Sequence, residues 1–296
     1  MRRTIAAVGR SLVVIGLLIL CFVGYQLWGT GYFTARAQAD LKDEFTERVS
    51  AIGPDVVAPP TTVRPVATPT TRPPVPLPPA GAVAGIITIP KIGVKVAFVE
   101  GVSREDLKKG PGHYPGTPFP GSRGNSAIAG HRTTYGAPFH DVDKLEPGDQ
   151  IIVETLAGRF VYRVMRQLIV RPTDTYVVAN TPDAQLTLTS CHPKYSAAQR
   201  IVIKAKLVPE VSAKPQAAIV TPAAPPPTAL AEGLEGRHPN PTPVILAALL
   251  AALVGLTWWW AYRRWRHPAT LAGVIPFLAA LLPFYVFLER VLPSGY

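Results

Sequence analysis

At 296 residues the chain has room for one or two domains, but its composition is uneven: nineteen of its thirty-three prolines crowd into two tracts, and the excess of hydrophobic residues, 48% of the total, lies near the two ends. The net charge of +11 sits partly beside apolar runs, on Arg2 and Arg3 before the first and on Arg263, Arg264, Arg266 and His267 after a later one. Basic residues so placed read as membrane topology signals, and without interleaved aromatic residues they argue against a nucleic-acid partner.

In chain order, residues 4 to 28 hold an apolar run long enough to cross hydrocarbon. The rival reading is a cleaved signal peptide, since Ala37-Gln38-Ala39 has a small-x-small pattern, but that site lies far beyond the apolar core. Residues 1–30 are therefore read as an uncleaved anchor with a short cytoplasmic start, delivering the following chain to the far side. Residues 31–83 read as a charged spacer followed by a Pro/Thr/Val-rich linker. A short helix over 35–51 is an alternative for the spacer.

Residues 84–208 form the compact segment. Short Val- and Ile-rich runs at 86–89, 94–99, 126–129, 150–154, 160–170, 185–189 and 201–207 predict strands, with short helices over 104–109 and 140–145. Mostly short strands with no long helical pattern between them predict a mainly β fold, a closed or nearly closed barrel. A Pro/Ala-rich linker (209–243), an apolar helix (244–262) rich in Trp at its end, a basic cytoplasmic loop (263–270) and a second apolar helix (271–289) follow. The charges then give three spans with the barrel outside the cytoplasm, the alternative being two spans with the last segment, which contains Pro276 and Pro283, lying in the interface.

The chain has two cysteines, Cys21 and Cys191. Cys21 lies in the first apolar run, which leaves Cys191 as a lone thiol and removes any disulfide framework or multi-cysteine metal site. Cys191 ends the run QLTLTSC and is followed by His-Pro, so it falls at a strand end. A core role and a reactive role are both open from position alone. A nucleophilic cysteine needs a base or cation nearby. His131 closes another strand-like run, NSAIAGH, and so can meet a neighbouring strand end. His192 points away from its own neighbour on an extended backbone, while His113 and His140 read as surface residues. Arg200, nine residues after Cys191 at the head of RIVIKAKL, approaches the cysteine if the two strands pair as antiparallel neighbours. There it would offer fixed donors to an oxyanion.

The run TLTSC with His131 before it and Arg200 after it resembles the sortase signature. The pieces IPKIGV, DLKKGPGHYPGTPFPG, GNSAIAGHRTTYGAPFHDVDKLEPGD and TLTSCHPKYSAAQRIV are similar to class E sortases of high-GC Gram-positive bacteria. That resemblance implies an eight-stranded barrel with short helices and a membrane-anchored cysteine transpeptidase. By it, Cys191 attacks the carbonyl after Thr in a C-terminal sorting motif of LAxTG or LPxTG type, His131 moves the protons, and Arg200 holds the substrate and oxyanion. Tyr114 in GHYPGT, with Thr189 and Ser190 beside the nucleophile, is implied in substrate binding; Ser190 departs from the family's usual Thr. The implied partners are surface proteins bearing a sorting signal and the amine of a lipid II-type peptidoglycan precursor. No metal or organic cofactor is implied. The alternatives are a pilin-polymerising sortase, to which the C-terminal apolar helices point, and a non-catalytic envelope scaffold. An L,D-transpeptidase would place Gly before the cysteine and Arg soon after it, which S-C-H-P does not match.

Overall fold

The computed structural model describes residues 16–52, 77–213, 242–265 and 274–291. They fall into two compact units, a barrel unit within Gln26–Gly236 and an apolar helical unit drawn from Met1–Tyr25 and Arg237–Ser294.

In the barrel unit, eight strands close on themselves: β1 (Val83–Ile89), β2 (Val94–Glu100), β3 (Gly112–His113), β4 (Asn125–Ala129), β5 (Gln150–Thr155), β6 (Gly158–Val170), β7 (Gln185–His192) and β8 (Gln199–Leu207), in the order β1-β2-β3-β4-β7-β8-β6-β5. Every strand expected from the sequence is present, most of them a residue or more longer. The two-residue β3 was not foreseen, because so short a run has no periodicity to read. The helix expected over 104–109 forms, whereas the expected helix over 140–145 contracts to one 3₁₀ turn, Val142–Lys144.

Closure follows from alternation along each strand. Leu186 and Leu188 of β7 enter the main core with Ile201, Ile203 and Ala205 of β8 and Ile87 and Ile89 of β1. The intervening Thr187, Thr189 and Cys191 take the other face. That face is covered too, by a second apolar cluster in which Cys191 joins Tyr114, Ala127, Ala129, Val177, Val178 and Val202. The Thr–Leu alternation of QLTLTSC thus separates a barrel interior from a lined outer face.

The spacer expected to be solvated between anchor and linker is instead a helix, α1 (Thr30–Ile52), reached through a π-turn at Tyr25–Gly29. It docks on the barrel: Leu41 and Phe45 are buried with Val83, Ala97 and Val99, and Val49 packs beside them. The physical reason is an apolar stripe at i, i+4 and i+8, whose burial stabilises the docked state by about 1.5–3 kcal/mol per large side chain. Gln38 completes the seat, donating to Ala97 O and Lys109 O at 2.8 Å each and accepting from Ala97 N at 2.8 Å. The second helix, α2 (Arg104–Lys109), starts on a reciprocal cap between Ser103 and Asp106.

In the helical unit, α3 (Thr242–Trp265) is long and apolar enough to cross a membrane. It is the one such helix among the described residues. The region expected to form the last span is α4 (Val274–Val291), but its apolar stretch, Ile275–Leu288, is shorter than a bilayer crossing needs. Gly255 of α3 admits α4 closely, since a Cβ there would lie 3.0 Å from the Phe277 ring. Tyr285 of α4 packs on Phe22 and Tyr25 and donates to Leu18 O at 3.0 Å. The first half of the expected N-terminal anchor, residues 1–15, lies outside the described residues.

Candidate active site

Two ladders determine where the expected site residues fall. In the antiparallel β7–β8 pair, Cys191 is directly opposite Arg200. In the parallel β4–β7 pair, Ala129 is opposite Thr189, and the pairing continues past the end of β4, with Gly130 N donating to Thr189 O at 3.0 Å. Backbone pairing therefore sets Cys191 directly opposite Arg200 on one side of β7, while β4, on the other side, leads through Gly130 into His131.

All three are buried: His131 is 4% exposed, Cys191 2% and Arg200 4%. Burial pushes the Cys191 thiol up to about 11, against the opposing pull of Arg200 and then Arg132. In this closed form the thiol is protonated near neutral pH. Arg200 is oriented by its own strand end, its Nη1 donating to Ala197 O at 3.0 Å and Gln199 O at 3.1 Å. The ring of His131 lies against that of Tyr135, tilted by 35° with centroids 4.9 Å apart, and Thr134 Oγ1 lies 3.3 Å from His131 Nδ1.

Tyr114 and Thr189 lie on the same face as Cys191, joined by a 3.1 Å hydrogen bond between their hydroxyls. Tyr114 is fully buried, and burial pushes its phenol up to about 12, with the Thr189 hydrogen bond and Arg200 drawing it down and Cys191 adding to the rise. The phenol thus lies within electrostatic reach of both Arg200 and Cys191 and stays neutral. Ser190 is placed differently from its expected substrate-binding role. Side chains alternate along β7, so Ser190 turns away from the Cys191 face and donates to Gly130 O at 2.7 Å. It ties β7 to the segment that carries His131. Gly130 itself must be small, because a Cβ would sit 2.5 Å from the Phe139 ring.

Sequence reading missed Arg132. Although it directly follows His131, it is only 2% exposed. Its Nη1 donates to Cys191 O at 3.1 Å, its Nε to His140 O at 2.6 Å, and its Nη2 pairs with Asp143 at 2.8 Å. His140 Nδ1 donates back to Arg132 O at 2.9 Å. One guanidinium thus binds the strand that carries Cys191 to the loop after His131. Its sequence signal is a lone Arg in a polar loop, which ordinarily marks a solvated charge. His113 was expected at the surface but is 2% exposed, with Nδ1 2.7 Å from the Glu100 carboxylate opposite it on β2.

Beside the site, Lys204 of β8 donates to Thr187 Oγ1 at 2.9 Å and to Val177 O, while Asn125 Nδ2 donates to Val177 O and Ala179 O at 3.2 and 3.0 Å. These bonds hold the 175–178 turn of the β6–β7 connection against the face that carries Cys191.

Residues 87–208 match the family model for the sortase domain. The chain is 33% identical over 237 residues to sortase SrtE1 of Streptomyces coelicolor, covering 72% of this chain and 60% of that protein. It is 36% identical over 117 residues to sortase D of Bacillus subtilis, covering 39% of this chain and 58% of that protein. Among solved structures, sortase E1 from Streptomyces coelicolor with a tripeptide in its active site is similar at 35% identity and a TM-score of 0.42, over 43% of this chain and 89% of that one. The chain thus spans about three fifths of the length of the curated relatives first matched.

Proposed function

We propose, for a chain that belongs to the sortase family of cysteine transpeptidases, that it cleaves a C-terminal sorting motif of LAxTG or LPxTG type after Thr and transfers the acyl group to the amine of a cell-wall precursor. The observation that carries this reading is the register that sets Cys191 opposite Arg200 on β8, with β4, which leads into His131, paired to the other side of β7. Cys191 gives its proton to His131 and attacks the threonyl carbonyl as a thiolate, and Arg200 donates to the developing oxyanion. Collapse breaks the Thr–Gly amide, and His131 protonates the leaving amine. An incoming amine then attacks the thioester, His131 takes its proton, and the Cys191 thiolate leaves. Tyr114 and Thr189 contact the substrate residues before Thr. The catalytic unit stands outside the cytoplasm, with the N-terminal apolar segment and α3 as its membrane anchors; Arg263 and Arg264 at the end of α3 support the orientation.

The test is labelling of the full chain, in a Cys21→Ser background, with a sorting-peptide analogue carrying a thiol-reactive group in place of the scissile amide. Labelling at Cys191, abolished in Cys191→Ala, is expected. If neither the parent protein nor its His131→Ala variant is labelled there, the catalytic reading fails. Turnover with a diaminopimelate-type amine against a pilin lysine peptide identifies the acceptor, and exclusive use of the pilin lysine would replace cell-wall anchoring by pilus polymerisation.

A further inference from the structure

The loop that follows His131 is joined to helix α1. Tyr135, whose ring makes a tilted contact with His131, donates its backbone N–H to Thr30 Oγ1 at 3.3 Å, and Thr30 in turn donates to Gln26 O at 2.7 Å. One turn further along α1, Thr34 donates to Lys108 O at 2.9 Å, and the Lys108 ammonium stands 5.9 Å from the centre of the Tyr135 ring. The loop needs such support because its backbone is strained: Tyr135, Gly136 and Ala137 have φ of 51°, 73° and 44°. Positive φ at two residues with side chains is sustained only where the surroundings hold it. The ring also borders a cavity of about 450 Å³ lined by Gly31, Ala35 and Pro138 among others, so it is held from the α1 side and the His131 side and not by close packing all round.

We infer that α1 is part of the catalytic apparatus, with Thr30 and Tyr135 acting as positioning residues that set the imidazole of His131 against Cys191. The inference rests on the catalytic role proposed for His131. It extends that role to a segment outside the 87–208 domain, so that the seating of the N-terminal helix governs how often the His131 loop is in its working geometry. The aromatic ring of Tyr135 and the hydroxyl of Thr30 are the working parts.

The experiment compares Tyr135→Ala, Tyr135→Phe and Thr30→Val in the full-length protein. It follows kcat and KM with a sorting peptide and an amine, the nuclear magnetic resonance shift of the His131 imidazole, and the thermal midpoint. Tyr135→Ala and Thr30→Val are expected to lower kcat about tenfold with KM within about twofold and to displace the His131 resonance. Tyr135→Phe, which keeps the ring, is expected to behave as the parent. Unchanged kcat and resonance in Thr30→Val and Tyr135→Ala, or a Tyr135→Phe variant as impaired as Tyr135→Ala, would overturn the inference. If Tyr135→Ala does not fold, the kcat and resonance of Thr30→Val decide between the two outcomes. A His131→Ala control separates the two readings. Should it keep full turnover, the proposed role of His131 fails, and the resonance alone then decides whether α1 positions that ring.

Discussion

Cys191 and Arg200 are directly opposed across the antiparallel β7–β8 ladder. Their side chains therefore share one face of the sheet through backbone register, and the guanidinium is further fixed by the carbonyls of Ala197 and Gln199. A lysine at this position keeps the charge and loses the planar fork. Arg200→Lys is expected to lower kcat by about 10²–10³-fold, nearly as much as Arg200→Ala, because a preorganised oxyanion donor is lost in both. Alkylation of Cys191 should persist in each. Near-parental turnover of Arg200→Lys would mean that charge alone suffices.

The pH behaviour of Cys191 follows from its burial. With the thiol pushed up to about 11 in the closed form, the thiolate fraction at neutral pH is small. Iodoacetamide modification of Cys191, measured in a Cys21→Ser background, should rise about tenfold per pH unit through the mildly alkaline range without a plateau below pH 9. The linkage has a definite sign. A folded pKa above the unfolded one means stability present at lower pH and lost as pH climbs from the ordinary thiol range toward 11. An alkylation plateau below pH 8 would show that the resting site already holds a thiolate.

The barrel was readable because short β-branched runs between Gly and Pro turns carry the strand signal, and the antiparallel return from Cys191 to Arg200 follows from a loop of fixed length. Other parts were not readable, for separate reasons. The docking of α1 was written in Leu41, Phe45 and Val49, spaced for one helical face, but the charges between them resemble a solvated spacer. Arg132 and His113 are buried through partners far away in sequence, Asp143 and Glu100, and neither carries a local mark of burial. Ser190 and Cys191 are neighbours in sequence, yet strand alternation gives one to Gly130 and the other to the site.

Tyr114 offers a test of specificity. Its hydroxyl meets Thr189 on the Cys191 face and stays neutral to about pH 12, so it serves as a hydrogen-bonding group across the whole working range. Tyr114→Phe should leave the fold intact and change the ratio of kcat/KM for LAxTG against LPxTG peptides by about tenfold, a difference typical of one buried polar contact. An unchanged ratio would remove Tyr114 from substrate discrimination.

Gln38 tests the anchorage of α1 by stability. Its amide makes three hydrogen bonds to the backbone of Ala97 and Lys109, at a position only 8% exposed. Gln38→Leu leaves those backbone groups without their partner and should destabilise the protein by about 2–4 kcal/mol in chemical denaturation. A loss under about 0.5 kcal/mol would show that water replaces the amide and that Leu41 and Phe45 hold the helix by themselves.

Lys204 gives the last prediction. Burial, with Arg166 adding to the effect, lowers its ammonium to about 8 from an ordinary 10.5. A depressed folded pKa means that the unfolded chain binds the extra proton, so this group's contribution grows as pH rises from about 8 toward 10.5 and is lost as pH falls through 8. Parental protein should therefore gain stability relative to Lys204→Met by on the order of 1 kcal/mol between pH 7 and pH 9. The variant also loses the bonds to Val177 O and Thr187 Oγ1, so its 175–178 turn should become more open to proteolysis and amide exchange. A stability difference that does not vary with pH would show that Lys204 keeps its ordinary affinity for protons and reaches solvent in the folded protein.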